Sequence, residues 1–139
     1  MLDFSSLKKA VAAMNDAVAN ANDESFMQGL TETQQNIIRA GVIQNFEFTY
    51  ELCWKMMQRW IKLNISPEDA NPRNKRDLFR IAARYNLLNN PDEWFEYNEA
   101  RNMTSHTYDE DNAEYVFTIA VKFIDSAKEL LQELQVRNG

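Results

Sequence analysis

Arg101, His106 and Tyr108 fall within RNMTSHTYDE, residues 101–110, and His106 is the only histidine in the chain. A histidine can take up or release a proton near neutral pH. An arginine five residues earlier can hold a phosphate through paired hydrogen bonds. Together they suit RNA cleavage by 2′-hydroxyl attack, which needs a base, an acid and charge stabilisation but no metal. One histidine cannot be base and acid at once, so this chemistry asks for a two-fold dimer that brings two copies together. Tyr108 offers a hydroxyl as a nucleotide acceptor or contact. The same residues also fit a purely structural role: Arg101 could bridge Glu99 or Asp109, His106 could cap a helix end, and Tyr108 could pack on the body of the protein. Asp109, Glu110, Asp111 and Glu114 crowd the histidine, a charge that opposes RNA but is favourable at a helix N-terminus.

A second candidate is basic. Arg73, Arg76, Arg80 and Arg84 follow one another at spacings of three, four and four, with Lys75 close by and only Asp77 to offset them. On a helix they line one face, which reads either as a contact for phosphates or an acidic partner, or as a solvated surface. Glu47, Glu51, Lys55 and Arg59 recur at intervals of four and read as a surface salt-bridge ladder. Trp54, Met56, Met57 and Trp60 read as core or dimer packing rather than a cofactor pocket, and no cofactor is implied. The paired carboxylates lack a second histidine or a carboxylate cluster, so no metal site is expected.

Composition limits the setting for this chemistry. The 139 residues suit a single domain, and such a chain can bury roughly 68% of its unfolded surface. The net charge of −6 argues against broad, non-specific nucleic-acid binding but allows a local basic patch. A lone cysteine, Cys53, excludes an internal disulfide and a thiolate-rich metal site. No stretch approaches 18 uninterrupted apolar residues and no secretory leader is evident, so a soluble, cytoplasmic protein is the expectation.

Helices must do the positioning, since three glycines and three prolines are too few for many tight turns. Phe4, Leu7, Val11, Met14, Val18 and Ala21 form one apolar stripe of helical spacing. A second element begins around residues 26 to 31, and Thr31 with Gln34 resembles a capping box. FEFTYELCW, from Phe46 to Trp54, alternates like a strand, yet Ile38, Val42, Phe46, Thr49, Cys53, Met56 and Trp60 keep helical spacing. The spacing therefore predicts one long helix, about 30 to 63, apolar on more than one face. Asn71 as cap and Pro72 at the first position predict a helix to about Asn86, and Asn90 with Glu93 opens a short aromatic one. Asp111 with Glu114 predicts the start of the last helix, striped by Val116, Ile119, Phe123, Ala127, Leu130 and Leu134. The sum is an all-α, antiparallel up-and-down bundle of four main helices and a short extra one.

FEFTYELCWK (46–55), NPRNKRDLFRIAARYNLL (71–88), Trp94 and RNMTSHTYDEDNA (101–113) resemble the nucleotidyltransferase substrate-binding protein family, the HepT-like branch of the HEPN superfamily. The resemblance spans roughly residues 30 to 125, and RN-x-TSHTYDE is its most specific part. It implies a dimerising helical bundle whose gene sits beside one for a minimal nucleotidyltransferase, the two often acting as toxin and antitoxin. It further implies that Arg101 and His106 are a catalytic ribonuclease pair, and that Tyr108 is the position to which the transferase can attach AMP. The family's older description implies instead a non-catalytic subunit that presents a nucleotide or substrate to the transferase. A stand-alone helical dimer with a structural role is a third reading.

Overall fold

The computed structural model describes residues 2–137, and among these every regular element is helical. Helix α1, Ser5–Asn22, buries Leu7, Val11, Met14 and Val18 of the stripe read from the sequence, together with Ala10, and leaves Ala21 half-buried. The short α2, Glu24–Gln28, starts where the Asp23 carboxylate accepts a hydrogen bond from the Phe26 amide at 3.1 Å. Thr31 then closes a reciprocal capping box: the Gln34 amide donates to Thr31 Oγ1 at 3.1 Å, and the Thr31 amide to Gln34 Oε1 at 2.9 Å.

Helix α3, Glu32–Asn64, runs 33 residues without a break, about 50 Å at 1.5 Å per residue. Its coil settles the ambiguity of FEFTYELCW. Phe46 is fully buried while Phe48 is 62% exposed, a separation that a strand's two-residue repeat would not give. The buried set Val42, Phe46, Thr49, Tyr50, Cys53, Met56, Met57, Trp60 and Ile61 covers the broad apolar face.

The next helix, α4, is Lys75–Arg84 and starts later than the Asn71-Pro72 signal predicts. The Asn71 amide instead bonds back to the Glu68 carbonyl at 3.2 Å in a turn. Asn74 is the cap: its side chain accepts from the Asp77 amide at 2.9 Å, and the Asp77 carboxylate lies in the first turn, where the helix dipole favours it. Both asparagines are good caps by type, and Arg73 consequently lies before the helix rather than on it. Asn74→Ala is expected to cost about 1 kcal/mol of stability in urea unfolding, with Asn71→Ala smaller, and the reverse order would refute the reassigned cap. At the far end Asn86 adopts φ 63°, and the Leu87 and Asn86 amides close onto the Ala82 and Ala83 carbonyls, a left-handed C-terminal cap.

Asn90 caps α5, Pro91–Met103, with Pro91 at its first position, as the sequence predicts. A single 3-10 turn, Thr104–His106, follows. The last helix, α6, is Glu110–Arg137, and Asp109 rather than Asp111 serves its first turn, accepting from the Asp111 amide at 2.9 Å and the Asn112 amide at 3.4 Å.

Contacts between α3 and α6 join Arg39 to Phe117, Phe46 to Phe123 and Trp60 to Arg137, so these two helices run parallel as the central pair. Helix α1 packs on both, and α5 lies antiparallel to both, with Glu96 against Lys122 and Tyr50 against Asn98. Phe123 anchors the core, with Tyr97, Phe46, Trp94 and Tyr50 rings 5.0 to 6.2 Å away, all edge-on. Buried hydroxyls tie the layers together: Tyr97 Oη lies 2.6 Å from Ser126 Oγ, and Tyr50 Oη donates to Asn98 Oδ1 at 2.7 Å. Burial pushes both phenols well above their ordinary range, which keeps them protonated and able to donate. Among the described residues no helix is long and apolar enough to cross a membrane.

Candidate active site

The last turn of α5 presents Arg101. Thr104 Oγ1 donates to the Arg101 carbonyl at 2.8 Å, closing the helix, and accepts from Arg101 Nη1 at 3.0 Å. The guanidinium lies across α3, with Nε 3.4 Å from Glu51 Oε1 and Nη1 3.9 Å from Glu47 Oε2. Arg101 Nε is enclosed, yet its approach to Glu51 is too poorly aligned to be a hydrogen bond. It is an electrostatic hold. Glu51 is itself fixed, since its second oxygen accepts from Trp54 Nε1 at 2.9 Å. The arginine side chain remains one-third exposed.

His106 ends the 3-10 turn with its backbone anchored and its ring in solvent. Its carbonyl accepts from the Asp109 amide and from Asn112 Nδ2, both at 3.3 Å. The imidazole meets the Tyr108 ring edge-on at 6.2 Å, and Tyr108 is 87% exposed. No described residue hydrogen-bonds either ring nitrogen. Of the structural alternatives, the arginine does find carboxylates, but on α3 rather than at Glu99 or Asp109. The histidine side chain caps nothing, and the tyrosine does not pack on the core.

The ladder read at Glu47, Glu51, Lys55 and Arg59 does not form. Both acids turn to Arg101, Lys55 lies over the Trp54 ring at 5.7 Å, and Arg59 pairs with no described carboxylate. Glu47, Glu51 and Thr104 are therefore partners of Arg101 in the candidate site that the sequence reading missed. Their one available signal was that both acids lie inside FEFTYELCWK, the stretch that carries the family resemblance. The arginine series is brought only partly together. Arg76 and Arg80 lie over the Phe95 ring, 4.9 and 5.2 Å from its centre, and Arg80 Nη1 also meets Asp77 Oδ1 at 3.1 Å. Arg84 closes the helix, and all four arginines are exposed. Among the described residues no group of His, Cys, Asp and Glu could hold a metal ion.

Residues 2–136 match the family described as nucleotidyltransferase substrate binding protein like, and the chain belongs to that family. Within it, the chain is 33% identical over 138 residues to the probable ribonuclease HepT of Haemophilus influenzae, an alignment covering 99% of this chain and 94% of that protein. A solved Haemophilus influenzae structure, described as revealing the fold of a substrate binding domain of a nucleotidyltransferase, superposes with a TM-score of 0.90 at 31% identity. That match covers 96% of this chain and 99% of the other. A Thermus thermophilus protein shares the fold, with a TM-score of 0.72 at 23% identity over 93% of this chain and 98% of its own.

Proposed function

We propose that this chain is the HepT-like partner of a minimal nucleotidyltransferase, paired with it as toxin and antitoxin in the cytoplasm, and that Arg101 and His106 form a metal-independent endoribonuclease site. The observation that carries this reading is the side-chain arrangement at residues 101–108. A guanidinium is held at one end by Glu47, Glu51 and Thr104, and five residues further on stands an exposed imidazole whose nitrogens bond to no described residue. In the reaction His106 takes the proton from a ribose 2′-hydroxyl as that oxygen attacks the phosphorus. The bond from phosphorus to the 5′-oxygen breaks, and the leaving oxygen receives a proton from the second copy's histidine. Arg101 stabilises the charge that builds on the phosphoryl oxygens. Strand scission of single-stranded RNA by clean wild-type protein in excess chelator tests the reading, and no scission would sink it.

The dimer is part of the proposal. Ile37 and Phe48 are 63% and 62% exposed and lie on one face of α3, large apolar surfaces that a lone chain leaves in water. Phe48 neighbours Glu47, so a two-fold contact through this face brings each motif near its copy. Sedimentation is expected to give a dimer for the wild type and a monomer for Ile37→Glu/Phe48→Glu. A wild-type monomer of 16.3 kDa at micromolar concentration would defeat both the dimer and the two-histidine mechanism.

Tyr108 is the proposed acceptor of a nucleotidyl group, and its exposed hydroxyl supports that role. Tyr108→Phe should cut RNA nearly as well as wild type but accept no label from ATP in the presence of the transferase. Labelling of the variant would move the acceptor elsewhere. A second reading, a non-catalytic subunit presenting substrate to the transferase, draws support from the description of the 31%-identical structure and from the exposed acids Asp109, Glu110 and Asp111 beside His106.

A further inference from the structure

Charge is unevenly distributed in this acidic chain. Residues 55–84 hold eight of its 15 lysines and arginines but only three of its 21 acids, a local charge of +5 against −6 overall. The fold gathers four of these cations over two half-buried rings. Lys75 and Lys55 lie 4.8 and 5.7 Å from the centre of the Trp54 ring, and Arg76 and Arg80 lie 4.9 and 5.2 Å from that of Phe95. Two like charges on each ring repel one another, and among the described residues only Arg80 of the four has a carboxylate partner, Asp77. An anion bound between them would relieve that repulsion.

These rings point towards the motif. Trp54 donates to Glu51, which holds Arg101, so one edge of α3 runs from Lys55 to the arginine. On α5, Phe95 precedes Asn98, which binds Tyr50, and Arg101 lies six residues beyond Phe95, roughly 9 Å along the helix axis. Ring-held basic side chains that lead towards Arg101 supply the positive groove that tracks the backbone of a single strand. The acids Asp109, Glu110 and Asp111 lie beyond His106 in the chain and repel a polyanion there, whereas the acids along the α3–α4 side, Glu47, Glu51 and Asp77, are each paired with an arginine.

We infer that single-stranded RNA is bound along the seam of α3, α4 and α5, its phosphates on Lys55, Lys75, Arg76 and Arg80, before it reaches Arg101. The destination of the strand rests on the ribonuclease reading; the binding itself does not. RNA fits better than an acidic protein because the guanidinium groups held over Phe95 offer several donors to phosphate oxygens, and a run of four cations matches the repeated charge of a strand.

The test is fluorescence anisotropy with a labelled oligouridylate, using full-length His106→Ala dimer so that the strand stays intact. Adding Lys55→Gln, Lys75→Gln, Arg76→Gln and Arg80→Gln is expected to weaken binding by about tenfold or more. It should also flatten the salt dependence by up to about 0.7 in log–log slope for each phosphate that is no longer neutralised. Circular dichroism confirms that the variant is folded. In the His106-intact background the same four changes should raise KM for the oligonucleotide far more than they lower kcat. Unchanged RNA affinity and slope would overturn the inference. So would a loss confined to affinity for the nucleotidyltransferase, which would make this seam a protein dock. Cation-dependent RNA binding without any cleavage would uphold the inference and sink the ribonuclease reading alone.

Discussion

His106→Ala is expected to lower the rate of RNA cleavage by about 10²–10⁴-fold, the range for losing one general acid–base group, while leaving the melting temperature nearly unchanged. The ring makes no hydrogen bond to a described residue and lies at the surface of a 3-10 turn whose anchors are backbone atoms. Nothing in the core depends on it. Arg101→Ala is expected to be of similar severity, about 10²–10³-fold, because phosphoryl charge is no longer stabilised. Its effect on folding has the opposite character, since it frees Glu47 and Glu51 from a partner they share across two helices. Single-turnover rates beside thermal melts separate the two. Equal residual cleavage in wild type and His106→Ala would indicate a contaminant and put the binding-subunit reading first.

Phe123→Ala should unfold the protein more readily than any surface change. The ring is fully buried and touches Phe46 and Tyr50 of α3 and Trp94 and Tyr97 of α5, so it joins three helices. Truncating such an aromatic costs about 3–5 kcal/mol, because the transfer of apolar surface to water and the cavity left behind both count. A domain stable by about 5–15 kcal/mol would lose a large share of its margin. Denaturant unfolding at fixed protein concentration measures this, and a loss below about 1 kcal/mol would show that Phe123 is not the anchor of the core. Because α5 carries Arg101, the same substitution should also loosen the site, with cleavage falling at temperatures where the wild type is still folded.

The helices were legible because their apolar stripes repeat locally: Leu7, Val11, Met14 and Val18 on α1, and Ile119, Phe123, Ala127, Leu130 and Leu134 on α6, are all buried. The starts of α4 and α6 were less so. Asn71 and Asn74 are the same residue type, and Asp109 and Asp111 likewise, so choosing between them requires knowing which amide each side chain reaches. The motif was legible as three residue types at a short spacing. Its acidic support was not. Glu47 and Glu51 lie some fifty residues before Arg101, and their spacing of four with Lys55 satisfies a local rule for helix ion pairs. Tertiary geometry overrides that rule because an arginine brought across from α5 competes for the same carboxylates, while Lys55 turns to Trp54. The ring-backed cations have the same history: Phe95 and Trp54 are not neighbours of Arg76 or Lys75 in sequence, only in the fold.

The most direct measurement is the chemistry of the ends left on RNA. Single-stranded RNA is incubated with clean wild-type protein in excess chelator, beside the His106→Ala protein prepared identically, and any product termini are identified by mass spectrometry. Attack by the 2′-hydroxyl under His106 and Arg101 predicts 2′,3′-cyclic phosphate ends from the wild type and essentially none from the variant. Products ending in a 3′-hydroxyl, cleavage that requires added metal, or identical products from both proteins would contradict a ribonuclease site at Arg101 and His106.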